Sequence, residues 1–126
     1  RDWIDLPASG FLGDVPDYPL AGASDAERAL WSELWRKPQG QAWAALGLKF
    51  QVAAYVRAFL ESVEEKASAG LKTAVLRMEN ELGLSIMGMK QNLWRLTDGS
   101  APVEAPSAAR KTSSGDWLKA VTVDGA

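Results

Sequence analysis

The chain contains no cysteine and no histidine among its 126 residues. Without them it can form no disulfide, no thiol nucleophile and no zinc site built from Cys and His ligands. The lack of histidine also removes the side chain that most often serves as a general base near neutral pH, and with it the serine-type catalytic triad. We therefore expect no catalytic residue, no metal site and no cofactor, and the chain is predicted not to be an enzyme.

The sequence also gives little indication of an acidic cluster that could hold Mg²⁺. The acidic groups considered are Glu61, Glu64 and Glu65, then Glu79 and Glu81. Glu61 and Glu65 can share a helix face, but Arg57 precedes Glu61 by four residues and is its expected ion-pair partner. Glu79 and Glu81 are two residues apart and point in different directions on a helix. Solvated helix faces are the favoured interpretation of both groups.

Long apolar runs and strong charge are missing as well. No run approaches the roughly 20 residues that a membrane-spanning helix needs, so no membrane contact is expected. The net charge is −2, and residues 25–96 are only mildly basic, with ten Lys and Arg against eight Asp and Glu. An autonomous nucleic-acid binder usually has a strongly basic footprint. Any phosphate contact would need several copies of the chain or a few well-placed cations.

What is present predicts an all-α fold, a small helical bundle with a central antiparallel helical hairpin. Residues 1–23 contain six Pro and Gly residues, which interrupt any regular helix. They predict an extended N-terminal arm whose apolar residues lie on the chain's own domain or on a neighbour. Residues 24–96 form the predicted helical core and oligomerisation domain. The predicted helices cover residues 24–37, 39–46, 48–66, 67–82 and 86–96.

Local signals mark the ends of these helices. Ser24 and Glu27 form a capping box, and Pro38 suits the first turn of a short second helix. Gly47 is expected to end that second helix, which should bury Trp43 and Leu46.

The two longest helices should pack as the hairpin. In the second of them, apolar residues spaced 4, 3 and 4 apart make a seam typical of helix–helix contacts, formed by Leu71, Val75, Met78 and Leu82. This seam is a candidate oligomer interface. It can equally belong to the chain's own core, and the pattern alone does not separate these two interpretations.

A helix, a short turn containing Gly83 and a last helix capped by Ser85 give the outline of a helix-turn-helix. Most helical bundles contain such an outline, so it is a weak indication of DNA binding. The cations of the last helix are Lys90 and Arg95. Its inward residues are expected to be Ile86, Met89, Leu93 and Leu96.

From residue 97 the composition changes to Asp, Gly, Ser, Ala and Pro, which is typical of a flexible tail over 97–126. Near its end Trp117 and Leu118 form a short apolar segment. An aromatic anchor after a flexible tether favours docking on a partner, and folding back on the chain's own domain is the alternative.

Residues 18–96 resemble the small subunit of tailed-phage terminases, in the branch common in phages of actinobacteria. The resemblance rests on the order and spacing of Tyr18-Pro19-Leu20, Trp31-Ser32-Glu33-Leu34-Trp35, Pro38-Gln39, Trp43, Leu46-Gly47, Val52-Ala53-Ala54-Tyr55-Val56-Arg57, Leu76-Arg77-Met78-Glu79, Leu82-Gly83-Leu84-Ser85, Met87-Gly88-Met89 and Trp94. It departs from the family at Ile86, where Pro is common, and near Gln91 and Leu93, where Arg is frequent.

The resemblance implies a non-catalytic subunit that recognises viral double-stranded DNA and regulates the ATPase and nuclease of the terminase large subunit. It also implies a homo-oligomeric ring working in the cytoplasm of the infected bacterial host. Trp117 and Leu118 then become the candidate docking residues for the large subunit. The candidate DNA-binding residues, acting through phosphate attraction, are Lys49, Lys72, Arg77, Lys90 and Arg95.

Two other functions stay open from the sequence. One is a dimeric helix-turn-helix regulator of transcription. The other is a non-catalytic helical adaptor in a virion or another complex, with no nucleic acid involved.

Overall fold

The computed structural model describes residues 2–98, and five helices dominate this part of the chain. The elements are β1 Ile4–Pro7, α1 Asp25–Trp35, α2 Gln39–Leu46, α3 Lys49–Ser62, α4 Ala69–Glu81, α5 Ile86–Asn92 and β2 Trp94–Thr97. The mostly helical class is confirmed, and β1 and β2 add a two-stranded parallel sheet that the sequence did not predict. Over residues 2–98, no helix is both long enough and apolar enough to cross a membrane.

Serine side chains begin three of the helices. The Ser24 hydroxyl accepts a hydrogen bond from the Glu27 amide, and the Glu27 carboxylate accepts one from the Ser24 amide, which confirms the capping box at α1. Ser68 and Ser85 accept from amides in the first turns of α4 and α5. Gly47 ends α2 in the left-handed conformation, with φ 69°. Short-range side-chain chemistry therefore sets the first turns of α1, α4 and α5, and a glycine ends α2.

Three tryptophans form the centre of the core. The Trp35 ring centroid lies 5.5 Å from that of Trp31 and 5.4 Å from that of Trp43, in tilted and edge-on arrangements. Such ring pairs add about 0.5–1.5 kcal/mol to the burial of their area. The Trp43 indole N–H donates to the Leu82 carbonyl over 2.9 Å, so the buried ring also ties α2 to the end of α4.

α3 and α4 pack against each other. Val52 and Val56 of α3 are fully buried, and Val75 of α4 is 5% exposed. The Tyr55 hydroxyl donates to the Glu79 carboxylate over 2.8 Å. Burial raises the pKa of Tyr55, and the hydrogen bond to Glu79 raises it further, so the phenol stays neutral.

The N-terminal arm lies on the chain's own core. Leu6 and Phe11 are buried, and the Arg36 guanidinium donates to the Phe11 and Gly13 carbonyls over 3.0 and 3.1 Å. Gly10 makes this approach possible, because its φ is +103° and a Cβ there would meet the Arg36 carbonyl oxygen. The arm thus packs on its own chain rather than on a neighbouring one, which is one of the two arrangements expected from its apolar residues.

The last helix is shorter than predicted. α5 ends at Asn92, Leu93 takes the left-handed conformation with φ 63°, and the Ile4 amide donates to the Leu93 carbonyl over 2.7 Å. Trp94 then pairs in register with Ile4. A partner strand from the other end of the described chain supplies the hydrogen bonds that helix 86–96 would have made within itself.

The sheet has one apolar and one polar face. Leu6 and Trp94 are buried against the core, whereas Ile4 and Leu96 are each 50% exposed at the margin. On the opposite face Arg95 donates to Asp5 over 2.6 Å.

Three residues that were predicted to be buried are exposed. The exposed fraction is 90% for Ile86, 59% for Leu46 and 50% for Leu96, so the prediction of their burial is wrong.

Candidate nucleic-acid and subunit interfaces

All five candidate DNA-binding cations are exposed. They lie on four elements: Lys49 begins α3, Lys72 and Arg77 are in α4, Lys90 is in the last turn of α5 and Arg95 is in β2. Arg95 was predicted on a helix and stands instead on a strand, because α5 stops at Asn92.

These cations do not form one patch on a single copy. Lys49 and Lys72 lie near opposite ends of the α3–α4 pair, and at 1.5 Å per residue a 14-residue helix such as α3 spans about 20 Å. Lys72 and Arg77 are five residues apart on α4, which turns them about 140° from each other around the helix. One copy of the chain can therefore present only a few of them to the same stretch of DNA.

Arg95 already has two partners, one in β1 and one just before it. Its guanidinium pairs with Asp5 and lies 5.9 Å from the centroid of the Trp3 ring. Both members of the ion pair are more than half exposed, so the pair itself contributes little to stability. A phosphate contact at Arg95 must compete with Asp5, which makes this cation the weakest of the five candidates.

The surface of α5 is more apolar than basic. Ile86 is 90% and Met87 60% exposed in its first turn, and Lys90 is its only Lys or Arg. Gly88 lies against the backbone of Asn80, so a Cβ there would collide with α4. The α4–turn–α5 unit has the expected helix-turn-helix outline, but its second helix has only seven residues. Its exposed groups suit contact with protein better than contact with phosphate.

The seam on α4 lies largely inside the chain. Val75 and Leu82 are 5% and 4% exposed, and Leu71 and Met78 pack as half-buried residues on the same core. In the structure the seam therefore belongs to the core of its own chain. Contact with another subunit stays a prediction, and it would use the exposed parts of Leu71 and Met78 together with neighbouring Leu76, which is 61% exposed.

A charged cluster that the sequence did not reveal joins the arm, α1 and α3. The Glu27 carboxylate accepts hydrogen bonds from the Tyr18 hydroxyl over 2.7 Å and from the Arg57 guanidinium over 2.6 Å. Arg57 also donates to the Ala21 carbonyl. The predicted pairing of Arg57 with Glu61 is wrong, because Glu27 approaches from a helix thirty residues earlier in the chain.

This cluster fixes the ionisation of its members. The Ser24 amide, Tyr18 and Arg57 together lower the pKa of Glu27 to about 2. Burial raises the pKa of Tyr18 to about 12, and the hydrogen bond to Glu27 acts in the same direction. The cluster is thus a neutral phenol, a carboxylate and a guanidinium at neutral pH, with every member used to join parts of the fold. Within residues 2–98, no three acidic side chains are grouped closely enough to hold a metal ion.

Comparison with known proteins gives no match to any family model, any curated protein or any solved structure.

Proposed function

We propose that the chain is a terminase small subunit. In this function it assembles as a homo-oligomeric ring, binds viral double-stranded DNA and regulates the ATPase and nuclease of the large subunit in the cytoplasm of the infected host. It performs no catalysis itself and needs no cofactor. The helical hairpin of α3 and α4 is the centre of its oligomerisation domain.

One observation carries the proposal: several of the residues that resemble the terminase family hold this fold together. Trp31, Trp35 and Trp43 are the aromatic centre of the core. Tyr18 and Arg57 share the buried carboxylate of Glu27. Resemblance at such positions supports a common fold, because scattered surface similarity would not fall on the residues that determine packing.

Exposed apolar side chains support assembly. Five that are at least 60% exposed are Leu12, Val63, Leu76, Ile86 and Met87. A domain of this size leaves a large share of its surface in water, and contact between copies removes part of that cost.

The spread of the cations supports DNA binding by repetition. A single copy offers few cations to one stretch of duplex, but a ring presents the same few many times. Each phosphate neutralised by the ring adds about 0.9 to the slope of log affinity against log salt. Tight binding at low salt that weakens steeply with added salt is therefore expected only of the assembled form.

The test is DNA binding by the assembled protein across a range of salt concentrations, measured by fluorescence anisotropy with viral duplex DNA. The double variant Lys49→Gln/Lys72→Gln should bind more weakly and show a smaller salt slope. Lys66→Gln, which removes an exposed lysine outside the candidate set, is the matched control and should bind as the unaltered chain does. Absence of binding by the assembled oligomer at low salt contradicts the DNA-binding part of the proposal.

A non-catalytic structural adaptor is the second candidate. The observation that favours it is the apolar first turn of α5, where Ile86 and Met87 face solvent. The same anisotropy experiment separates the two functions, because an adaptor has no reason to bind the duplex.

Docking on the large subunit is assigned to Trp117 and Leu118, which lie outside the described residues. Trp117→Ala in the full chain should leave assembly and DNA binding unchanged and abolish stimulation of the large-subunit ATPase. Unchanged stimulation would remove the tail from this function.

A further inference from the structure

Two small cavities adjoin where the sheet, the α2–α3 turn and α4 meet. Each has a volume of about 260 Å³. One is lined mainly by Ile4, Leu46 and Trp94, and the other by Ala54, Met78 and Leu82. Leu48 and Glu81 line both cavities, so together they make one groove, which we name the Glu81 groove.

The Glu81 groove is open, apolar and marked by a single acidic side chain. Ile4 and Leu46 along it are 50% and 59% exposed. Within residues 2–98, no lysine or arginine lies within 4 Å of the Glu81 carboxylate. A complementary occupant supplies large apolar side chains together with one cation, which covers the apolar walls and pairs with the carboxylate.

The chain itself contains such a segment in residues 116–121. Trp117, Leu118 and Val121 are large and apolar, and Lys119 stands among them. The other cations of the tail, at 110–111, have only Ala, Ser and Thr within three residues on either side. The charge and the apolar side chains that match the groove therefore coincide at one place in the tail.

The tether is long enough for this segment to reach the groove of its own chain. The Trp94 side chain in β2 lines the groove, and the described chain continues from β2 only to Asp98. Residues 99–115 separate the described chain from the segment, and a random coil of that length has an end-to-end distance of roughly 23 Å. A tether of this length holds the segment at an effective concentration near the millimolar range, well above that of another copy in dilute solution.

We propose that residues 116–121 dock in the Glu81 groove of the same chain, with Trp117 and Leu118 on the apolar walls and Lys119 paired with Glu81. The docking does not depend on the terminase assignment. If that assignment also holds, the segment that binds the large subunit is covered in the free protein and exposed when the large subunit captures it.

Disulfide trapping tests the docking in the full chain, which has no native cysteine to interfere. The pair Ala54→Cys/Ala120→Cys places one thiol in the groove and one in the segment. The control pair Ala29→Cys/Ala120→Cys places the first thiol on exposed α1, which contacts neither α4 nor either strand in the described structure. Both pairs are oxidised at submicromolar protein with glutathione disulfide, and circular dichroism checks that both variants are folded.

We expect the groove pair to form an intramolecular disulfide at least about tenfold faster than the control pair. Adding Glu81→Lys should slow the reaction, and adding Lys119→Glu to that variant should restore it. Equal rates for the two pairs overturn the docking. A product that is only a disulfide-linked dimer assigns the groove to a second copy and overturns docking within one chain. If the charge changes leave the reaction rate unaltered, the pairing of Lys119 with Glu81 is overturned.

Discussion

Val75→Ala should destabilise the fold strongly, although it changes nothing on the surface. Val75 is 5% exposed between α3 and α4. The substitution removes two methyl groups, each worth about 0.8 kcal/mol of burial, and leaves a small cavity that adds to the loss. We expect a decrease of about 2 kcal/mol in the free energy of unfolding. At roughly 4–8 °C per kcal/mol for a domain of this size, the Tm should fall by about 8–16 °C.

Thermal unfolding of the full chain, followed by circular dichroism at a fixed protomer concentration, measures this loss. Thr73→Ala is the matched control, because Thr73 lies two residues earlier on the same helix, is exposed and is outside the candidate subunit contact. Its effect should stay within about 0.5 kcal/mol. A Val75→Ala protein that unfolds like the control would refute the assignment of Val75 to the core of its own chain.

Aspartate substitutions at Val75 and Leu76 separate a role in the core from a role in subunit contact on α4. If neighbouring copies meet along the outer part of this helix, Leu76→Asp should lower the particle mass while the chain stays folded. Val75→Asp should instead unfold the chain, because it places an unpaired charge in the core. A folded Val75→Asp monomer would show that the seam serves the interface alone.

Three further predictions follow from the described contacts. Because the pKa of Glu27 is lowered from 4.5 to about 2, its ionised form stabilises the fold above pH 4.5, and this stabilisation is lost as the pH falls towards 2. Glu27→Gln should therefore have a flatter dependence of Tm on pH in that range, and an unchanged acid limb would contradict the cluster. The pKa of Tyr18 is raised from 10 to about 12, so its neutral form contributes stability below pH 10 that is lost between pH 10 and 12. Tyr18→Phe should flatten that alkaline limb, and the same loss of Tm as in the unaltered chain would assign it to other groups. Gly83→Ala should destabilise more than Gly22→Ala, since both glycines have φ above +70° but only at Gly83 does a Cβ meet the Trp94 ring. Equal losses of Tm would mean that the ring contact adds nothing to the backbone strain.

Local chemistry made much of the helical layout predictable. Ser24, with Glu27 three residues later, predicts a capping box that the structure contains. Gly47 was expected to end α2, and it does so in the left-handed conformation. These features depend on side chains within four residues of each other, so a single segment of sequence carries all the information they need.

Contacts between distant segments were not predictable in this way. Apolar residues at helical spacing over residues 86–96 indicated a helix, yet Trp94–Thr97 pairs with a strand ninety residues earlier in the chain. Arg57 likewise had a plausible partner at Glu61 and binds Glu27 instead. In both cases a tertiary partner replaced the local one. Where the candidate cations lie relative to each other depends on the same tertiary packing, which explains why their separation on the surface was not foreseen.

The particle mass of the purified full chain, measured by light scattering at micromolar concentration, tests the central claim most directly. A ring-forming subunit predicts a mass many times the 13.6 kDa of one chain. A particle that stays at the mass of one chain across the micromolar range contradicts it.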